Sequence, residues 1–374
     1  MCSQLNARAL AATLEKVAVL LSKRHKRQIN VNGQHDQRVT STLLASTAIR
    51  QLRVLFSRRP SVRKELKQVQ QTRTESSDIN GSPQRFAGDG VEIFCGDCLD
   101  VMREIPDESV DLVFADPPYN LGKRFREFKD VWPSDAAYAE WCYQWLELAV
   151  SKMSRTASMY VMTSTQAMPF LDLWLRERLT VLSRIVWHYD SSGVQARKYF
   201  GSLYEPILLC VKDAKTYTFN AGDIEVQART GAVRQLIDYR KDTPAPYKST
   251  KVPGNTWYFP RVRYRMPEYE DHPSQKPETL LERIVKASSN PGDLVLDPFA
   301  GTFTTCAVAK RLRRRSIGIE MQPDYVKVGL RRLGIATHFQ GELLKSPEKS
   351  YVRRNGNGRH GGLEPQQSGL FDAE

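Results

Sequence analysis

From about residue 90 onward the sequence predicts an α/β fold built on a mostly parallel sheet, and three observations predict it. Apolar runs of three to six residues alternate with segments of helical period, the pattern of βαβ units. The run Val110–Ala115 is apolar at five of its six positions, as expected of a strand covered on both faces. Two of the runs end in an acidic residue followed by Pro, in Asp116-Pro117-Pro118-Tyr119 and Asp297-Pro298-Phe299-Ala300-Gly301-Thr302. Strand ends of this kind are where open α/β sheets bind ligands.

The elements follow in order. Val91 to Cys95 reads as a strand, followed by a Gly96-Asp97 turn and a short helix. Val110 to Ala115 is a second, buried strand. Tyr138 to Lys152 carries Trp141, Trp145, Leu148 and Ala149 at helical spacing, a core stripe. Ser158 to Met162 and Ile185 to Tyr189 are strands, with a helix near Gln166 to Leu179 between them. Pro206 to Val211 and Thr216 to Phe219 read as a hairpin across 212–215. Periodicity then fails over residues 220–271, a basic insertion rich in Tyr, Pro and Gly. It resumes with a helix Pro277 to Ser288, a strand Leu294 to Leu296, a helix from Thr302 and a strand Ser316 to Ile319.

Length and charge bound the organisation. The 374 residues carry 55 Lys and Arg against 42 Asp and Glu, a net +13 that suggests a polyanionic partner. Residues 1–90 hold 16 basic and 6 acidic side chains, so +10 of that excess lies there and +3 in the rest. The expected organisation is a basic, partly disordered N-terminal extension over 1–88, a catalytic domain over 89–340 and a flexible tail over 341–374. The extension is either an arm adding salt-sensitive affinity for nucleic acid or a tail with no role of its own, and the second reading is favoured. Its apolar stretch precedes its basic cluster Lys23, Arg24, Lys26 and Arg27, the reverse of a secretory signal. Its Arg-rich, acid-poor composition leaves organelle targeting open beside the cytoplasmic, nucleoid-associated location otherwise expected. Six cysteines are too few for a disulfide framework, and no apolar run reaches the ~20 residues of a membrane span.

The chemistry lies in the two Pro-containing turns. The run from Asp297 to Thr302 follows a strand and opens a helix, and Glu320 ends the next strand 23 residues later. In a Rossmann-like unit such small residues admit a cofactor closely, and the second acid binds ribose hydroxyls. The Gly-x-Gly-x-x-Gly that cradles a pyrophosphate is absent, so S-adenosylmethionine fits where NAD and ATP fit poorly. A strand–turn–helix with Gly at a close contact is also common packing. In the other turn, successive prolines hold the backbone extended. They fix the Asp116 carboxylate, the Pro117 carbonyl and the Tyr119 ring in a small space. Two acceptors gripping an exocyclic base amine favour its pyramidal form and stabilise the charge that develops during methyl transfer. Tyr119 would stack on a base flipped out of the helix. The alternative is a turn in which Pro117 and Pro118 only end the strand, and the second motif in the same sheet weighs against it.

Residues from about Ile93 to Gly334, some 240 of the 374, resemble the β-class amino-group DNA methyltransferases, in which the catalytic motif precedes the cofactor motif. The likeness is densest at ADPPYN, at His272-Pro273-Ser274-Gln275-Lys276-Pro277 and at LDPFAGTFTT. Further stretches, SRIVWHYDSSGVQA, YEPILLCVKDAK, LIDYRK and VPGNTWYFPRVRY, are similar to enterobacterial orphan adenine methyltransferases. The resemblance implies a circularly permuted S-adenosylmethionine-dependent methyltransferase fold. It implies cofactor contacts from Asp97 and Cys98 after the first strand and from His272, Lys276 and Pro277 over the methionine end. It also implies contacts from Asp297, Phe299, Gly301 and Thr302, with Glu320 and Met321 at the ribose and adenine. Homodimerisation is a further expectation. Thr302 replaces the usual Ser, and Phe303 stands where a second Gly is usual, which puts the tightness of that loop in question.

Other signals are weighed the same way. Cys95 and Cys98 form a C-x-x-C with no second pair nearby, so no metal site is expected. His188 ends a strand and reads as structural, and the cluster from Lys310 to Arg315 as a solvated helix end. In the insertion, Arg229, Arg234, Arg240, Lys241, Arg261, Arg263 and Arg265 alternate with Tyr239, Tyr247, Trp257, Tyr258 and Tyr264, a candidate surface for double-stranded DNA. Methyl transfer to N6 of adenine by direct displacement, with Asp116, Pro117, Pro118 and Tyr119 as the catalytic motif, is the reading this supports. N4 of cytosine is the alternative, since both targets present the same kind of amine. An inactive DNA-binding module would have no need of an intact catalytic motif.

Overall fold

The computed structural model describes residues 83–190, 197–228 and 236–344. Arg229, Arg234, nearly all of the 1–88 extension and most of the 341–374 tail lie outside the described residues.

One nine-stranded sheet organises the described residues. Its strands in chain order are β1 (Gln84–Gly88), β2 (Val91–Cys95), β3 (Val110–Ala115), β4 (Met153–Met162), β5 (Thr180–His188), β6 (Tyr204–Val211), β7 (Thr256–Tyr258), β8 (Leu294–Asp297) and β9 (Arg315–Glu320). Their spatial order is β1-β2-β9-β8-β3-β4-β6-β5-β7. The five pairs β2–β9, β9–β8, β8–β3, β3–β4 and β5–β7 are parallel. The pairs β1–β2, β4–β6 and β6–β5 are antiparallel. The mostly parallel sheet expected from the sequence is therefore present. Its first strand, however, lies inside the stretch that charge assigned to the extension.

Helices α1 (Cys98–Glu104), α2 (Asp135–Lys152) and α3 (Met168–Arg176) cover one face of the sheet; α4 (Glu278–Ser288), α5 (Thr304–Arg311) and α6 (Pro323–Leu333) cover the other. Strand β3 shows why it reads as a continuous apolar run. Val113 and Ala115 join the core with α1 to α3, while Leu112 and Phe114 join the core with α4 and α5. The helix ends carry local signals. Ser134 caps α2 by accepting from the Ala137 amide at 3.1 Å, and Pro323 opens α6, which Gly334 closes at φ 66°.

Two expectations are corrected. Residues 216–219 form no strand with Pro206–Val211; β6 pairs instead with β4 and β5, and the Thr218 amide reaches only the Thr156 carbonyl at 3.1 Å. The insertion is not wholly peripheral either. Its residues 256–258 add β7 to the sheet edge beside β5, burying Trp257 to 6% exposure in the core. Trp257 is thereby removed from the aromatic side chains available to DNA. Among the described residues no helix is long and apolar enough to cross a membrane.

Candidate active site

Four acidic residues mark one rim of the sheet. Asp97 follows β2, Glu320 ends β9, Asp297 ends β8 and Asp116 follows β3. Because β2, β9, β8 and β3 are neighbours in that order and all parallel, these side chains fall on one edge in the order 97, 320, 297, 116. With strands ~4.8 Å apart, the row spans roughly 14 Å. The Asp297 and Asp116 ends meet where the strand order reverses. The connection from β3 leaves through α2 on one face, and that from β8 leaves through α5 on the other. Such a switch point opens a crevice beyond the strand ends. The two Pro-containing turns therefore share one rim.

At the Asp116 end, four side chains lock together. The Tyr119 hydroxyl lies 2.6 Å from Asp116 Oδ1 and 2.9 Å from Glu205 Oε2. Lys276 Nζ is 2.5 Å from Asp116 Oδ2 and 3.6 Å from Glu205 Oε2. Burial raises the Asp116 pKa more than Lys276 lowers it. Burial works the same way on Glu205, but Lys276, the Tyr119 hydroxyl, Arg261 and Lys123 outweigh it and hold that carboxyl below its ordinary value. Burial also disfavours the charged form of Lys276, yet Asp116 and Glu205 keep it an ammonium. Of the two proline carbonyls, that of Pro118 accepts from the Tyr138 hydroxyl at 2.7 Å, so it is committed to the fold.

At the cofactor end, Asp297 is buried, accepting from the Phe299 amide at 3.0 Å and the Thr305 hydroxyl at 2.5 Å. Burial pushes its pKa up to about 7. Glu320, also raised to about 7 by burial, accepts from the Gly301 amide at 3.0 Å and the Gln322 amide at 2.7 Å. Gly301 sits at φ 51°, and a Cβ there would lie 3.2 Å from His272 Nε2. The HPSQKP segment thus closes directly onto the loop through His272. Phe299 packs edge-on against Trp145 at 5.1 Å, Thr302 is buried, Met321 is exposed and Asp97 caps α1 through the Leu99 amide at 2.8 Å. A row of carboxylates, an exposed Met, an aromatic face and a glycine loop fit an uncharged nucleoside with an amino-acid arm better than a pyrophosphate.

Three placements refine the sequence reading. Lys276, expected at the methionine end, puts its ammonium on Asp116, because Pro277 at the start of α4 holds the preceding residue at the rim. Cys98 is buried among the core residues under α1, which argues against its side chain as a cofactor contact. Phe303 tolerates the glycine-like position, adopting φ 59° with its ring fully buried. Glu205 was missed altogether. It opens an otherwise apolar strand, and only the antiparallel sense of β6 brings that start to the rim of the parallel strands. Among the described residues of the insertion, Arg261 stacks over Tyr189 at 5.1 Å, Arg240 is held by Asp238, Arg263 lies 3.8 Å from Asp190, and Lys241, Arg263 and Arg265 are exposed. Among the described residues no group of His, Cys, Asp and Glu could hold a metal ion.

The DNA methylase family of N6 and N4 amino-methyltransferases matches residues 110–331. The chain belongs to this family. The methylase is 55% identical over 275 residues to the DNA adenine methyltransferase YhdJ of Escherichia coli (strain K12), covering 74% of this chain and 92% of that one. It is 31% identical over 243 residues to the type II methyltransferase M.HpaI of Haemophilus parainfluenzae, covering 64% of this chain and 73% of that one. The PvuII DNA methyltransferase (cytosine-N4-specific) superposes with a TM-score of 0.50 at 18% identity, covering 65% of this chain and 86% of that one, a likeness of fold alone.

Proposed function

We propose that this methylase transfers the methyl group of S-adenosylmethionine to N6 of an adenine turned out of double-stranded DNA, by direct displacement. The observation that carries the reading is the meeting of the Asp116 and Asp297 turns on adjacent parallel strands. Asp297, Phe299, Gly301, Thr302, Glu320 and Met321 would hold the cofactor along the rim, with Asp97 at its far end and His272 closing over Gly301. The bound cofactor supplies an electrophilic methyl carbon on a sulfonium.

The chain's own residues do the rest. Asp116 and the Pro117 carbonyl accept from the two N–H groups of the target amine, which makes its lone pair available and stabilises the charge forming on nitrogen. Tyr119 stacks on the base, and Lys276 fixes the orientation of Asp116. Holding amine and methyl group in line supplies much of the barrier reduction, and no covalent intermediate on the protein is needed. Adenine is favoured over cytosine by the 55% identity to a relative named for adenine and by the Asp that opens the tetrapeptide. Lys241, Arg261, Arg263 and Arg265 offer phosphate or base contacts.

Asp116→Ala is expected to abolish methyl incorporation into DNA while leaving cofactor affinity, read by calorimetry, nearly unchanged. Equal loss of both would show that Asp116 serves the cofactor and not the amine. Nucleoside mass analysis of the methylated DNA identifies the base.

A further inference from the structure

Tyr119 offers one hydroxyl hydrogen to two carboxylates, Asp116 at 2.6 Å and Glu205 at 2.9 Å. Three oxygens share one hydrogen, so the cluster has room for one more. Of the charged groups, the two carboxylates are in direct contact with one buried ammonium, Lys276, while Arg261 and Lys123 act on Glu205 from outside the cluster. Methyl transfer to an amine creates the matching need. As the N–C bond forms, the C–S pair leaves on sulfur, and the nitrogen must then release a proton.

We infer that Glu205 is a positioning residue for this transfer, holding Tyr119 against Asp116 and placing beside Asp116 a negative charge that equips it to take the amine's proton. This rests on the methyltransferase reading above. In the step, the N–H pair stays on nitrogen and an O–H bond forms on Asp116. The Tyr119 hydroxyl, no longer needed there, turns wholly to Glu205. The cluster ends with one ammonium and one carboxylate. Besides Lys276, Tyr119 and Asp116, the groups facing Glu205 are Tyr189, with its hydroxyl at 3.4 Å, Arg261 and Lys123. Lys276 and the Tyr119 hydroxyl, aided by the two outer cations, keep Glu205 ionised, so the proton stops at Asp116.

The test compares wild type, Glu205→Gln and Tyr119→Phe in single-turnover transfer of labelled methyl from S-adenosylmethionine to unmethylated genomic DNA, across pH. Asp116 must be ionised to react. Losing the Glu205 charge lowers its proton affinity, so in Glu205→Gln the acid limb of the rate moves to lower pH. The plateau falls at least about tenfold, while cofactor and DNA affinities stay within about twofold. Tyr119→Phe removes a hydrogen bond that favours the ionised acid, so its acid limb moves to higher pH. Opposite movements support the inference. An active wild type with a Glu205→Gln rate within about twofold of it at every pH overturns the inference alone, as does a loss with an unmoved limb. Should Glu205→Gln fail to fold, an unmoved limb in Tyr119→Phe has the same force. An inactive wild type overturns both the inference and the reading beneath it.

Discussion

His272 shows how a single side chain is fixed by what surrounds it. Its Nδ1 accepts from the Ser274 amide at 3.2 Å, its ring meets Tyr325 edge-on at 4.4 Å, and Gly301 is bare beneath it. Burial first, then Lys276, Lys123 and Arg126, press its pKa down to about 3, so the ring is neutral in the folded protein. The folded value lies below the unfolded one. The stabilisation is therefore present above pH ~6.5 and is lost as the pH falls from there toward 3. His272→Gln is expected to gain on the wild type by up to ~2 kcal/mol when denaturant unfolding is moved from pH 8 to pH 5. A difference between the two proteins that is the same at both pH values would place His272 in water. The sequence singled out His272 through the family resemblance, but only the approach to Gly301 shows what the ring covers. Glu205 was less legible still: an acid at the start of PILLCV carries no motif until the direction of β6 is known.

At the scale of elements, the start of α5 resolves the question raised by Phe303. A residue other than Gly at φ 59° costs roughly 1 kcal/mol, yet its ring is fully buried and so contributes more than that. The space comes from two other elements. A Cβ on Gly318 of β9 would lie 2.7 Å from the ring, and one on Gly329 of α6 would lie 2.2 Å from it. The Phe303 ring is accommodated by small residues on the neighbouring elements, which a reading of the loop alone does not reveal. Gly329→Ala is expected to destabilise by ~2 kcal/mol or more, seen as a lower melting temperature, because neither the ring nor the α6 backbone has room to shift. An unchanged melting temperature would mean that the ring is loosely packed. The predicted hairpin at 206–219 failed for a related reason. Two neighbouring apolar runs suggest each other as partners, but β6 found longer partners in β4 and β5, from which it is separated in sequence by α3 and β5 in the one case and by residues 189–203 in the other.

For the whole molecule, the basic insertion anchors itself at the β7 edge of the sheet through Trp257. Its exposed cations differ in availability. Arg240 donates to Asp238 at 2.8 and 3.1 Å and holds that carboxyl down to about 2. Lys241 and Arg265 are exposed, Arg265 with its guanidinium 5.7 Å from the Tyr264 ring. Lys241→Ala and Arg265→Ala are each expected to weaken DNA binding across all sequences and to flatten the plot of log affinity against log salt by about 1. Arg240→Ala should change it less. Anisotropy titrations at several salt concentrations measure this, and a slope untouched by all three would place the DNA elsewhere.

The sequence by itself determined the α/β class, the strands that carry the two turns, the cofactor type and the residues of both motifs. Those are local matters of periodicity, of proline stiffness and of which small residues precede a helix. Tertiary structure alone decided that Asp97, Glu320, Asp297 and Asp116 form one row, that Lys276 and Glu205 join Asp116, and that Trp257 belongs to the core. Each of these depends on which strands are neighbours and which way they run, and burying a strand on both faces constrains its composition without naming its partner.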